Sequence, residues 1–128
     1  MTSRLPIAIA LALALAVPAA AQTPGVSASI LVQSSPLAGF RYYDARALWD
    51  EMKVGDALAL VREPDNPYDA NAVRVEWNGY QLGYVPRREN ADVARQIDRG
   101  TRVKARISRL QANRSPSKRI EFEVYVDL

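Results

Sequence analysis

Two short stretches of this chain carry most of its usable chemistry. The first, Phe40-Arg41-Tyr42-Tyr43, sets one guanidinium among three aromatic rings. The second, Glu63-Pro64-Asp65-Asn66-Pro67-Tyr68-Asp69, places three carboxylates, an amide and a phenol around two prolines whose φ angles are fixed. A plain turn needs far less, and loops held by a rigid scaffold are where binding groups are commonly found. Glu63, Asp65 and Asp69 are the right type of ligand for a hard cation, but the loop lacks the glycine and ligand spacing of an EF-hand. The same carboxylates allow a weaker alternative, a small hydrolase working by acid/base catalysis, for which no second motif speaks. The chain has no histidine and no cysteine, so the commonest nucleophile, general-base and zinc arrangements cannot be assembled, and it has no P-loop. The expectation is therefore a non-enzyme with no catalytic residue, no metal and no cofactor.

The elements around these stretches can be read from turn chemistry and periodicity. Asn78-Gly79 lies between two alternating apolar runs and predicts a hairpin with a type I′ turn. Pairing Trp77 with Tyr80 sets Val75 opposite Leu82 and Val73 opposite Tyr84, with all six on one face; Arg74, Glu76, Gln81 and Gly83 take the other. A strand is predicted over Ala57 to Arg62. An earlier one over Ser27 to Gln33 is broken by Ser34-Ser35-Pro36. A helix over Ala45 to Lys53, capped by Asp44 and ended by Gly55, is expected to bury Leu48 and Met52 with Trp49 packed beneath. A second helix runs from Asn90, as cap, to Arg99, closed by Gly100. Towards the end, Arg102, Lys104 and Arg106 alternate with apolar residues, as do Glu121, Glu123, Tyr125 and Asp127. Antiparallel pairing puts the basic row beside the acidic row, which favours cross-strand ion pairs over a nucleic-acid stripe. Arg114, Lys118 and Arg119, in the loop Gln111 to Lys118 and just beyond it, escape that cancellation and are free to touch phosphate. Six strands, two short helices and closely spaced turns make a mostly β fold, a small β-barrel.

The run Arg62-Glu63-Pro64-Asp65-Asn66-Pro67-Tyr68-Asp69-Ala70-Asn71-Ala72-Val73, with Leu82-Gly83-Tyr84-Val85-Pro86-Arg87 and Gly39-Phe40-Arg41-Tyr42-Tyr43, resembles the HIRAN family. The resemblance extends over roughly Ser27 to Leu128. It implies an OB-like or SH3-like six-stranded barrel and a nucleic-acid-binding module that takes the 3′ end of single-stranded DNA. It also implies a pocket built from Arg41, Tyr42 and Tyr43 on one segment and Asn66, Tyr68 and Asp69 on the other. In that use a tyrosine ring stacks on any base, Arg41 forks to a phosphate, and Asp69 accepts from a terminal hydroxyl while repelling a phosphate. Each residue also has a plainer role: Tyr42 and Tyr43 half in the core, Asp69 tying the loop through the amides of Asn71 and Ala72, Asn66 a turn residue before Pro67. The family pocket includes a later aromatic with no obvious counterpart, since Phe122 falls on the apolar side of its strand. Some relatives carry helicase-like ATPase and zinc-binding domains, and nothing of either is present in this sequence.

Residues 1–21 read as a cleavable signal peptide: Arg4 precedes an apolar run from Leu5 to Val17, and Ala19-Ala20-Ala21 forms a small-residue cleavage site. Residues 22–26 form a flexible leader and 27–128 the domain. Cleavage after Ala21 leaves 107 of the 128 residues, in the periplasm or secreted, with no stable membrane insertion. Losing Arg4 from 17 basic residues leaves 16 against 14 acidic ones, a net of +2, too little to coat duplex nucleic acid. Any phosphate binding is then local: a strand end or a nucleotide-like ligand. Export also raises an alternative role, an envelope scaffold that contacts another protein or a polymer. Oligomeric state, natural ligand and pathway are not encoded in any of these signals.

Overall fold

The structure, a computed structural model, describes residues 28–128; the expected signal peptide, its cleavage site and the leader lie outside the described residues. Six strands follow in chain order: β1 (Ser29–Pro36), β2 (Ala57–Arg62), β3 (Val73–Trp77), β4 (Tyr80–Tyr84), β5 (Val103–Leu110) and β6 (Ile120–Asp127), with one α-helix, α1 (Ala91–Asp98). All pairings are antiparallel and the order is open, β1-β6-β5-β2-β3-β4. The barrel expectation is therefore met in strand number and pairing sense, while the two outer strands share no ladder. A single bridge joins their ends: Ala38, just past β1, exchanges two 2.9 Å backbone hydrogen bonds with Tyr84.

β2 carries the chain from one half of the sheet to the other. Its start, Ala57 and Leu58, pairs with Arg106 and Ala105 of β5; its remainder, Ala59 to Arg62, pairs with Glu76 to Val73 of β3. The inward residues of both halves, among them Leu58, Val73, Val75, Leu82, Ile107, Ile120, Phe122 and Val124, fuse into one core with Leu37 and Phe40. Alternation produces this sorting: Val73, Val75 and Trp77 of β3 are buried while Arg74 and Glu76 between them are not. The opposed charge rows also pair as their order dictates, with Lys104 on Asp127 (3.0 Å), Arg106 on Glu123 (3.3 Å) and Arg109 on Glu121 (3.7 Å).

Four local expectations need correction. The segment Ala45 to Lys53 is not an α-helix, so the two expected helices become one; turns lead to a single 3-10 turn, Trp49–Glu51, with no side-chain cap from Asp44. An isolated helix of that length is marginal, and here tertiary contacts decide. Ala45 and Met52 are buried, Trp49 meets Phe40 edge to face at 5.8 Å, and the Asp44 amide is held by the Gln81 carbonyl at 3.0 Å. β1 does not break at Ser34-Ser35-Pro36, because β6 supplies partners as far as Pro36–Glu121. Pro36 is tolerated at the end of an edge strand. Asn90 sits where a cap should, but its side chain makes no capping bond to α1. The hairpin register slips by one residue within β4, and that slip shapes the site.

Candidate nucleic-acid interface

The turn itself is as the dipeptide dictates, with φ of 47° at Asn78 and 83° at Gly79. Trp77 faces Tyr80 and Glu76 faces Gln81, but Val75 then faces Gly83 and Arg74 faces Tyr84. Leu82 is the extra residue of a β-bulge. Everything after it changes face, so Tyr84 leaves the apolar side expected for it and joins Arg74. Gly83 is required for the same crossing. A Cβ there would stand 2.1 Å from the Ala38 carbonyl oxygen, so only glycine lets the bridge form.

Moved to the polar side, Tyr84 links the two stretches singled out above. Its ring meets that of Tyr43 edge to face at 5.6 Å, and its hydroxyl donates to Glu63 Oε1 at 2.8 Å. Asn66 Nδ2 donates to the same oxygen at 3.0 Å, and Arg74 Nη1 donates to Glu63 Oε2 at 2.9 Å. Arg74 is oriented in turn by Glu76, which its Nε reaches at 2.6 Å. Tyr43 and Asn66, from segments more than twenty residues apart, are thus joined through Tyr84 and Glu63. Burial pushes the Glu63 carboxyl up, but the bonds from Tyr84 and Asn66 and the Arg74 charge outweigh it and hold the group below its ordinary value. Burial, with the adjacent Glu63 carboxylate, pushes the Tyr84 phenol up to about 12. Both shifts keep Glu63 charged and Tyr84 neutral, the states that preserve the link.

The remaining site residues are placed differently. Arg41 is exposed; Tyr42 and Tyr68 are 76% and 84% exposed, on the segments this network ties together. Among the described residues none of these three side chains makes a hydrogen bond or ion pair. Asn66 also serves the turn, accepting from the Tyr68 amide at 2.9 Å. Asp69 ties the loop: Oδ1 accepts from the Asn71 amide at 2.9 Å and Oδ2 from Asn90 Nδ2 at 2.7 Å. The Ala72 amide goes instead to the Asp69 backbone carbonyl. Asn90, 2% exposed, is therefore a support for the loop, and only its polarity at a buried position hinted at such a partner. From sequence Glu63 stood out only as a possible cation ligand, and Arg74 and Tyr84 only as hairpin residues; the bulge that assembles them has no local signature. Phe122 is fully buried and offers no surface to a ligand. Glu63 and Asp69 are engaged by separate partners and Asp65 is exposed, and among the described residues no group of three His, Cys, Asp or Glu is placed to hold a metal. Among those residues, too, no helix is long and apolar enough to cross a membrane.

Comparison with known proteins gives the family and the fold. The sequence profile of the HIRAN domain matches residues 30–128. Helicase-like transcription factor of Mus musculus is 44% identical over 61 residues, and that of Oryctolagus cuniculus 43% over 61 residues; each match covers 47% of this chain and 6% of the relative. The crystal structure of a protein from Lactobacillus plantarum superposes with a TM-score of 0.68 at 29% identity, covering 78% of this chain and 96% of that one. The crystal structure of the HIRAN domain of human HLTF shares the fold, with a TM-score of 0.52 at 24% identity over 77% of each chain. With the profile spanning all but the first two described residues, the chain belongs to the HIRAN domain family.

Proposed function

We propose that this domain is a non-catalytic module that binds the 3′ end of single-stranded DNA, or a nucleotide-like ligand of the same chemistry. The observation that carries the reading is the pair of free phenols, Tyr42 and Tyr68, held on two segments that Tyr43, Tyr84, Glu63 and Asn66 lock together. An exposed ring on a fixed backbone is a stacking platform, worth about 1–3 kcal/mol per base. Arg41 stands beside Tyr42 with its guanidinium unpaired and supplies a fork for phosphate. Each Asp69 oxygen already accepts one bond but has a second lone pair, so the carboxylate accepts from a terminal hydroxyl without releasing the loop. A phosphate in that place meets like charge, which separates a free end from a blocked one. The name of the mammalian relatives supports nucleic-acid binding in general. Their matched region is a small fraction of each protein, so no helicase activity is carried over. We place the site on a sheet curled towards the OB-like or SH3-like barrel, as the Ala38–Tyr84 bridge favours.

Fluorescence anisotropy with labelled single strands tests this. A strand ending in a 3′-hydroxyl is expected to bind more tightly than the same strand ending in 3′-phosphate. Tyr42→Ala and Tyr68→Ala should each weaken binding by about 1–3 kcal/mol. Equal binding of the two strands, or of neither, contradicts the reading.

A second reading rests on a different observation. β1 is an outer strand and exposes Ile30, Leu31 and Val32 by about half, an edge open to strand addition by a protein partner. It fits the exported scaffold raised by the expected signal peptide. Leu31→Lys should then abolish a partner's capture from envelope extract while leaving strand binding intact; capture undiminished by that change removes the reading.

A further inference from the structure

Two of the loop cations that escape the β5–β6 charge pairing, Arg114 and Arg119, line a recess that the strand-end site does not use. It has a volume of about 550 Å3, within the roughly 300–1,000 Å3 of small-ligand pockets. One wall is the segment carrying Phe40, Arg46, Trp49 and Asp50; the other is the β5–β6 loop with Arg114 and Arg119. Three guanidiniums face one carboxylate, and among the described residues none of the three is in an ion pair. Arg119 is fixed in place: its guanidinium lies 5.0 Å from the Phe40 ring centre and its Nε donates to the Asn113 carbonyl at 2.6 Å. Arg46 and Arg114 are exposed and unpaired. Along β5 the cations Lys104, Arg106 and Arg109 are neutralised by acidic partners, whereas here three guanidiniums share a concave surface with one carboxylate, a local excess that favours an anion.

The position of the recess says which anion. Phe40, in its wall, opens the 3-10 turn Phe40–Tyr42, so the recess shares a chain segment with Arg41 and Tyr42. A strand whose terminal base stacks at Tyr42 has to run its preceding phosphates along this wall to reach Arg46 and Arg114. We propose that the recess is a second station for the same single strand, where Arg46 and Arg114 neutralise backbone phosphates upstream of the terminal nucleotide. This rests on the strand-end reading and extends it: the terminal site reads the 3′-hydroxyl, and the recess adds affinity that depends on strand length and salt, independent of sequence.

The test compares a dinucleotide with a decanucleotide, both ending in 3′-hydroxyl, on wild type, R46A/R114A and R46K/R114K, with inorganic phosphate as a competitor. R46A/R114A should lose affinity for the decanucleotide on the order of tenfold. Its slope of log affinity against log salt should shrink by about 1.4, since each single-strand phosphate contact contributes about 0.7. Dinucleotide binding should not change, and R46K/R114K should retain most of the slope. Equal loss for both lengths, or no loss for the decanucleotide, overturns the second station while leaving the terminal site standing. Competition by inorganic phosphate with no length dependence overturns it as a simple anion site, and binding of neither strand by wild type overturns both readings.

Discussion

Replacing Glu63 by Gln changes the centre of the site by one charge and one acceptor at nearly constant volume. In the native protein Oε1 accepts from Tyr84 and Asn66 and Oε2 accepts from Arg74. A glutamine has one acceptor oxygen, so whichever way its amide turns, an NH2 group faces a donor. The least costly arrangement points it at Arg74, which keeps Glu76 as a partner. The loss is then one charge-assisted bond, about 1.5–3 kcal/mol in a buried setting. The Glu63 and Arg74 side chains are 21% and 32% accessible, so solvent screening reduces this to about 1–2 kcal/mol. For a domain of this size that is a fall in melting temperature of about 4–16 °C. The pH dependence is the sharper part. The folded-state pKa of Glu63 is depressed below the ordinary 4.5, so its contribution is complete above that value and is lost as pH falls through the folded value. Paired urea denaturations of wild type and Glu63→Gln should differ near neutral pH and draw together in acid, below the depressed folded-state value, the other carboxylates cancelling between the two proteins. A gap of the same size at both pH values would refute the charge-centred account of the network.

Three further outcomes follow from the same contacts. Gly83→Ala should cost about 2–4 kcal/mol in urea denaturation, since the new Cβ displaces the Ala38 carbonyl and breaks the bridge; a cost under about 0.5 kcal/mol would mean that Ala38 does not pass this close. The Tyr84 phenol, raised from 10.0 to about 12, adds stability that is complete below pH 10 and is lost as pH climbs towards 12. An absorbance titration of tyrosinate should show a late phase, to which Tyr125 contributes because its hydrogen bond to Glu123 also raises it, and Tyr84→Phe should remove part of that phase; a late phase unchanged in that variant would assign it elsewhere. Asn90→Ala leaves Asp69 Oδ2 without its buried donor, at a cost of about 1.5–3 kcal/mol, and should speed amide exchange at Asn71; unchanged exchange there would show the loop to be held by other means.

What the sequence revealed was set by short-range rules. Asn78-Gly79 dictated its turn because both positions need positive φ, and the opposed charges of β5 and β6 met because alternation fixes which residues share a face. Arg41, Tyr42 and Tyr68, singled out by their types and by the family resemblance, are exposed. What was not legible depended on contacts distant in sequence. The Leu82 bulge turns Tyr84 over because Ala38 must pass Gly83, and no local pattern in β4 announces that passage. The Ala45–Lys53 segment has helical spacing, yet Trp49 packs on Phe40 and the preceding Asp44 hangs from Gln81, and these contacts outweigh the closing of a regular helix. Asn90 has the type and position of a cap, and only the fold brings Asp69 within its reach.

The central claim is that the Phe40–Tyr43 turn and the Glu63–Asp69 loop form one surface for a strand end. The most direct measurement is a two-dimensional NMR titration of the 15N-labelled protein with a short 3′-hydroxyl single strand. Shifts should concentrate on the amides of Arg41, Tyr42, Tyr43, Asn66, Tyr68 and Asp69, move together at one affinity, and diminish when the strand carries a 3′-phosphate. Shifts confined to another face, to one of the two segments alone, or absent at saturating strand would contradict it.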